Sequence, residues 1–462
     1  MKKDKLFKNP YLLFSPFLIA LIIYVFILPT DGLSGDQPRY IEYAQNLLHG
    51  FYSNPAPDIS LMNGPGYPII LMPFLALNLP LIFLTLINPF FYYFSIIFLF
   101  KALKEIVSFK FAIIFSLIWA CYFIAYRNIA YVATESFTYL LISLLTYSIV
   151  RAFKSENQRF LKKYIILAGF ILGYLVITKM IFGYVLLFML PAIGFLWLLN
   201  KNNQNYRKGL FIIVIAFITT APYLLYTYDL TGRIFYWGTG SNNLYWMSTP
   251  YEGEYGDWTS MLIQNSTQMS NYNVQGADSI LKAHHQEDFN EILKYKGLEQ
   301  DDMYKELSIN NIKSHPIKFI QNVIYNMGRL VFHYPFSHAV QQPKVLLLFP
   351  IHGILLTLIL FSLIPTVINW RNMPISLQFL LILIFFYFGA SIFVSAVVRM
   401  FTIIVPVLLI WIAYILENTM KITLKFNEKS KSEQANEVKE EGNFRFKKTS
   451  PIFMNSKSIT SN

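Results

Sequence analysis

The chain has 462 residues, of which 55% are hydrophobic and only 14% charged. A soluble domain averages about 45–50% apolar and about 25% charged, so this composition excludes an ordinary soluble fold and reads as an all-α polytopic membrane protein. The net charge of +12 is not gathered around any nucleic-acid motif, and the single Cys121 excludes an intrachain disulfide.

Taken in order, the chain starts with Lys2, Lys3, Lys5 and Lys8 before an apolar run over 11–29. That run is long enough to span, and no small-residue cleavage site follows it, so no cleavable signal is expected. Further apolar runs fall at 81–100, 111–126, 133–150, 164–178, 180–199, 209–228, 345–367, 376–397 and 400–416. The run 67–79 is short and reads as a re-entrant piece or as part of the next span. The count predicts ten or eleven transmembrane helices.

Lys and Arg set the direction. With the N-terminus inside, the inward connections hold Lys101, Lys104, Lys110, Arg151, Lys154, Arg159, Lys162, Lys163, Lys201, Arg207, Lys208 and Arg371. The outward connections hold almost none. Residues 30–66 and 229–343 then face outward. The organisation becomes an N-terminal module over 1–228, a large outward loop over 229–343, C-terminal spans over 344–416 and a polar, disordered inward tail over 417–462.

The first outward segment, DGLSGDQPRYIEYAQNLLHGFYSNPAPDISLMNGPGYP over 31–68, carries two acids, Asp31 and Asp36. Tyr40, Tyr43, Ala44, Leu47 and Leu48 recur at helical spacing, with Glu42, Gln45, Asn46 and His49 on the other face. Asp36 stands at the N-cap, Pro38 in the first turn and Gly50 just past the end. An amphipathic helix lying on the membrane surface is expected here.

Asp36-Gln37, Tyr40, Ala44, Gly50 and then Gly64-Pro65-Gly66-Tyr67-Pro68 resemble the first outward loop of the GT-C membrane glycosyltransferases. That superfamily includes the protein O-mannosyltransferases and the aminoarabinose transferases. The usual second acid is Gln37 here, a departure from the family pattern. The stretch RNIAYVATESF over 127–137 is similar to the family's second acidic motif, with Glu135 as its carboxylate. Ile177-Thr178-Lys179-Met180 partly matches a family junction that often reads Thr-Arg-Pro. Ser395-Ala396-Val397-Val398-Arg399, followed by Pro406 in the last span, matches another landmark, with Met400 where a Tyr is usual.

The resemblance implies a GT-C-like bundle and transfer of a sugar from a polyprenyl-phosphate donor to a hydroxyl of a lipid, glycan or protein at the outer face of a cell membrane. Such a reaction needs a base for the acceptor and cations for the departing phosphate. Asp36 is the base candidate, with an N-cap as its plain alternative; Asp31 is the reserve and Glu135 the third acid. Arg39, Arg127, Lys179 and Arg399 are the rare outward cations, either anchoring spans or holding an anion. Arg329, in a helix that starts near Pro316, is a further phosphate candidate.

Tyr40 and Tyr67, with Trp237, Trp246 and Asn242 from the stretch over 236–258, are the substrate-binding candidates. Its Tyr and Trp residues read equally as an interfacial belt. No metal is expected. His284 and His285 are adjacent, so they point to different helix faces, and no carboxylate or Cys stands at ligand spacing. The resemblance itself leaves a divalent metal open. Asn265-Ser266-Thr267 matches a glycosylation sequon. An O-antigen ligase or polymerase, or a multi-span transporter, would also need many spans. Neither predicts the first-loop pattern, and a transporter would show an internal repeat, which is absent.

Overall fold

The computed structural model describes residues 9–28, 32–199, 201, 203–238, 240–259, 276–341 and 343–418. Asp31, the sequon at Asn265 and the tail beyond 418 lie outside these residues. Sixteen helices organise the description, and no strand occurs among the described residues. Ser15–Ile27 forms α1, Gln37–Leu48 α2, Gly66–Ala76 α3, Leu81–Ile106 α4 and Phe109–Ala120 α5. Thr134–Lys154 forms α6, Gln158–Thr178 α7, Ile181–Leu199 α8 and Gln204–Thr231 α9. The long polar segment then contributes Gly240–Met247 as α10, Ala277–Ile292 as α11, Gly297–Ser314 as α12 and Pro316–Phe332 as α13. Leu348–Asn369, Ile375–Ile392 and Val398–Asn418 close the bundle as α14, α15 and α16.

All eleven apolar runs form helices, and among the described residues eight of these are long and apolar enough to cross a membrane, with three shorter apolar helices beside them. The runs 11–29, 67–79 and 111–126 give α1, α3 and α5, of 13, 11 and 12 residues. At 1.5 Å per residue, 12 residues reach only about 18 Å, short of a hydrocarbon core of about 30 Å. Helix α5 stops because residues 123–128 tighten into a 3₁₀ turn ahead of α6.

Local sequence explains the helix ends. Asn157 and Asn203 cap α7 and α9 by accepting backbone N–H groups, and Gly232 ends α9 in the left-handed region at φ 71°. Gly169 and Gly173, four apart on α7, let α9 approach so closely that a Cβ on Gly173 would fall 2.5 Å from Thr219. Packing of this kind replaces hydrophobic attraction where the surroundings are apolar too.

Helices α6 and α16 are the centre of the bundle, 72% and 78% buried over their apolar windows, whereas the Val345–Asn372 stretch containing α14 is 17% buried and faces outward from the bundle. The two ends of the bundle differ in chemistry. At one end Glu105 meets Arg151 at 2.7 Å and Lys154 at 3.0 Å, and Glu417 accepts the Ser108 amide. At the other end the start of α6, the end of α7 and the start of α16 come together under α2.

A candidate active site at one end of the bundle

Helix α2 begins right after Asp36, at the boundary the sequence predicts, with Pro38 in its first turn and Tyr40, Tyr43 and Ala44 buried. Its opening differs from a side-chain cap, however. Asp36 is itself helical, at φ −79° and ψ −13°, and its carboxylate caps no amide. Two guanidiniums occupy it instead: Arg39 donates to Oδ1 at 2.5 Å and Arg399 to Oδ2 at 3.1 Å. Competition from charged donors is enough to pull a carboxylate off the backbone.

Arg399 links two acids. Its other terminal nitrogen stands 3.7 Å from Glu135 Oε1, and Lys179 donates to the same oxygen at 2.9 Å. The row Arg39, Asp36, Arg399, Glu135, Lys179 thus holds three cations and two carboxylates, a formal charge of +1. Burial grades along it. The Glu135 side chain is 1% exposed and its Oε2 has no partner, whereas Asp36 is 30% and Arg399 44% exposed. The acid behind the cations is closed off, and the acid in front is open.

Local structure fixes this geometry. Gln37, the position at which the sequence departs from the family's acid pair, is buried and accepts the Val132 amide at 2.9 Å while donating to Ser34 O. This single amide ties the head of α2 to the segment entering α6, and so places Asp36 beside Glu135. The glycines of Gly64-Pro65-Gly66 act on the other side. A Cβ on Gly64 would lie 2.0 Å from Ile177 O, and one on Gly66 2.3 Å from Thr178 Oγ1. Only glycine lets this turn rest on the end of α7, next to Lys179. Asn63 then takes the Arg39 Nε at 2.6 Å.

Of the substrate-binding candidates, Tyr40 and Tyr67 are buried and pack edge to face at 5.4 Å, forming the floor beneath the charges rather than an open wall. Trp237 is half-buried and donates to Met62 O, one residue from Asn63. Trp246 lies apart, in a small apolar cluster with Tyr245, Leu281, Phe289, Ile292 and Tyr304. Asn242 is on α10, and its Oδ1 is buried without a partner. Arg127 is exposed on the 3₁₀ turn and makes no contact with the charged row.

Arg329 is fully buried, donating to Tyr255 O at 2.7 Å and Asn326 Oδ1 at 3.0 Å. It belongs to a buried polar seam on α13 made by Lys318, Asn322, Asn326 and Arg329, while Ile317, Ile320, Ile324 and Met327 face outward. Asn326 closes the turn before α16 by donating to Ser391 O, Ile392 O and Val394 O and accepting the Ala396 amide. That turn leads directly into Arg399.

The histidines also differ from expectation. Both His284 and His285 reach one carboxylate, that of Glu254, some thirty residues upstream, which the spacing argument could not supply. These three groups are the described residues that could hold a metal ion.

No protein-family model matches the chain, and no curated protein matches it in sequence. Among solved structures it is similar to the oligosaccharyltransferase of Archaeoglobus fulgidus tethered to an acceptor peptide with the NVT sequon. There the TM-score is 0.48 and the identity 16%, over 88% of this chain and 49% of that one. It is similar to AglB of the same organism in complex with an inhibitory peptide and a dolichol-phosphate, at TM-score 0.47 and 13% identity, over 87% and 50% of the two chains. ArnT from Cupriavidus metallidurans bound to undecaprenyl phosphate gives TM-score 0.37 and 11% identity, over 87% and 77%. The chain spans about half the length of the two oligosaccharyltransferases.

Proposed function

We propose that the chain is a GT-C-type membrane glycosyltransferase that moves a sugar from a polyprenyl-phosphate donor to an acceptor hydroxyl at the outer face of the membrane. The observation that carries this reading is the convergence of Asp36, Glu135, Lys179 and Arg399 at one end of the bundle. The lysine asymmetry of the connections assigns that end to the outside. A membrane protein that only needed anchoring would not gather acids and cations on otherwise apolar ground.

The roles follow from exposure. Asp36, the open carboxylate, takes the proton from the acceptor hydroxyl as its oxygen attacks the sugar's anomeric carbon. The bond from that carbon to the phosphate oxygen breaks, and the lipid phosphate leaves with the electron pair. Arg399 and Lys179 meet the phosphate, the guanidinium through two oxygens and the ammonium as a point charge. Glu135, closed off behind both cations, positions them rather than touching substrate.

The test is transfer by purified protein in detergent with a polyprenyl-phosphate hexose, followed as release of the lipid phosphate. Turnover that disappears in Asp36→Asn, in a protein that still folds, is expected. Full turnover in that variant would remove Asp36 from the chemistry, and no donor use by the wild type across sugar classes would overturn the reading.

A further inference from the structure

Away from the charged row, the polar segment between α9 and α14 folds a second cluster of ionisable groups. Glu254 lies in the loop after α10, its carboxylate 3% exposed. His284 Nδ1 stands 2.8 Å from Oε1, His285 Nε2 3.0 Å from Oε2, and His338 Nε2 3.5 Å from Oε1. Three parts of the segment supply these groups: the loop at 254, helix α11 and the turn before α14. Lys318 holds the loop from behind by donating to Glu254 O at 2.7 Å.

The tautomer of His285 can be read from its neighbours. Tyr245 donates its hydroxyl proton to Asp288 Oδ2 at 2.7 Å, so its oxygen can only accept from His285 Nδ1, 2.8 Å away. The proton therefore sits on Nδ1, and Nε2 turns toward Glu254. A carboxylate behind the far ring nitrogen is the arrangement that orients metal-binding imidazoles, here relayed through a phenol. His338 Nε2, in a residue 8% exposed, also points at the carboxylate and has no hydrogen-bond partner. His284 is stacked on Tyr251 at 4.0 Å, which fixes its ring. The cluster opens to a cavity of about 130 Å³ bordered by Gly253, Ala277, Ile280 and Ser337.

We propose that Glu254, His284 and His285 hold a zinc ion, that His338, whose Nε2 stands 3.5 Å from the same carboxylate, joins it as a fourth ligand, and that the ion ties the three parts of this segment together. Three imidazole nitrogens and one carboxylate oxygen suit zinc, whose four-coordinate structural sites are closed by protein ligands. Ligand atoms about 2.0–2.1 Å from a tetrahedral ion stand roughly 3.3 Å from one another. From the single oxygen Glu254 Oε1 the three imidazole nitrogens stand at 2.8, 3.2 and 3.5 Å, which bracket that spacing. The ion also has a structural consequence. Four residues after Glu254, the Trp258 amide donates to Ser395 Oγ, in the turn before Arg399. Pinning Glu254 pins that strap.

The test uses the full chain, purified without a histidine tag and dialysed first against micromolar zinc sulfate, then against metal-free buffer. Elemental analysis is expected to find one zinc per chain, and X-ray absorption to find nitrogen and oxygen ligands at about 2.0–2.1 Å without sulfur. His285→Gln should lose the ion. Because that position is buried, the half-exposed His284→Gln provides the variant that keeps the fold, and it and His338→Gln should each weaken zinc retention at least tenfold. His315→Gln, outside the cluster, should retain it. A chelator should lower the apparent Tm of the wild type and leave that of His338→Gln unchanged. Wild-type protein that holds no zinc, or zinc that survives in the His284→Gln, His338→Gln double variant, would overturn the proposal. Neither readout depends on transfer activity.

Discussion

Arg399 Nη2 donates to Asp36 Oδ2 at 3.1 Å across 363 positions of sequence. The contact joins the polar segment after α1 to the first turn of α16. Because Asp36 makes no capping bond, replacing its charge removes ion pairs and leaves the helix start alone. Exposed pairs of this kind contribute about 0.2–1 kcal/mol each. Asp36→Asn is therefore expected to lower the apparent Tm only slightly while turnover falls by about two to four powers of ten. Parallel measurement of melting and of donor consumption separates the two effects. A large loss of both would mark Asp36 as structural.

Arg399 and Lys179 share Glu135 Oε1, so they are coupled before any donor arrives. The pair calls for two cycles of single and double alanine variants, one on stability without donor and one on donor KM. Coupling of about 0.5–3 kcal/mol is expected in each. Arg399→Ala should raise donor KM more than Lys179→Ala, because only a guanidinium holds two phosphate oxygens at once. Additive effects with unchanged KM would leave these cations as span anchors and turn the search toward Arg39.

Gln37→Leu tests the tether. The substitution leaves the Val132 amide buried without its acceptor, at a cost of about 1–3 kcal/mol. Since Val132 leads into Glu135, turnover should fall as well, through displacement of Lys179 and Arg399. Gln37→Glu retains the acceptor oxygen but buries a third negative charge beside Asp36 and Glu135, and should be worse than Gln37→Leu in melting. A milder effect of the charge than of the apolar residue would mean that this position reaches water.

Helix α3 gives a steric counterpart. Gly66→Ala would set a methyl group 2.3 Å from Thr178 Oγ1 and 2.9 Å from Thr178 N, and the backbone atom cannot swing away. Overpacking of this kind costs about 1–3 kcal/mol, and the displacement falls on the residue before Lys179. A drop in apparent Tm with a raised donor KM is expected. Normal values of both would show that the turn can retreat.

The five charged residues of the row were legible in the sequence by two routes. Arg39, Lys179 and Arg399 stood out as exceptions to the lysine asymmetry of the connections, and Asp36 and Glu135 through the acidic motifs they resemble. Neutral amides leave no such trace. Gln37, Asn63 and Asn326 do the positioning through backbone groups and nearby side chains, and composition says nothing about them. Glu254 was missed because the spacing rule searches along one helix, whereas its histidines come from α11 and from the turn before α14. The apolar run at 111–126 is longer than the helix it gives, for a geometric reason. An apolar run continues through a 3₁₀ turn such as 123–128, but the helix does not.

Helix α13 did carry a readable signal, with an inverted sense. Lys318, Asn322, Asn326 and Arg329 recur at helical spacing, and a polar stripe ordinarily faces water. Here it faces the protein, and the isoleucines face outward: Ile324 is 61% exposed and Asn326 fully buried. The usual ranking of substitutions should therefore reverse. Ile324→Ala removes a side chain that packs on little protein, and should stay within about 0.5 kcal/mol of wild type in detergent. Asn326→Ala leaves three carbonyls and the Ala396 amide without their partner, an expected loss of more than about 2 kcal/mol. Because those groups form the turn that presents Arg399, Asn326→Ala should also raise donor KM, whereas Ile324→Ala should not. Melting curves and donor titrations on the two variants check both halves. A larger effect from the isoleucine would mean that the outward face of α13 is a packed interface, and that the polar seam is secondary.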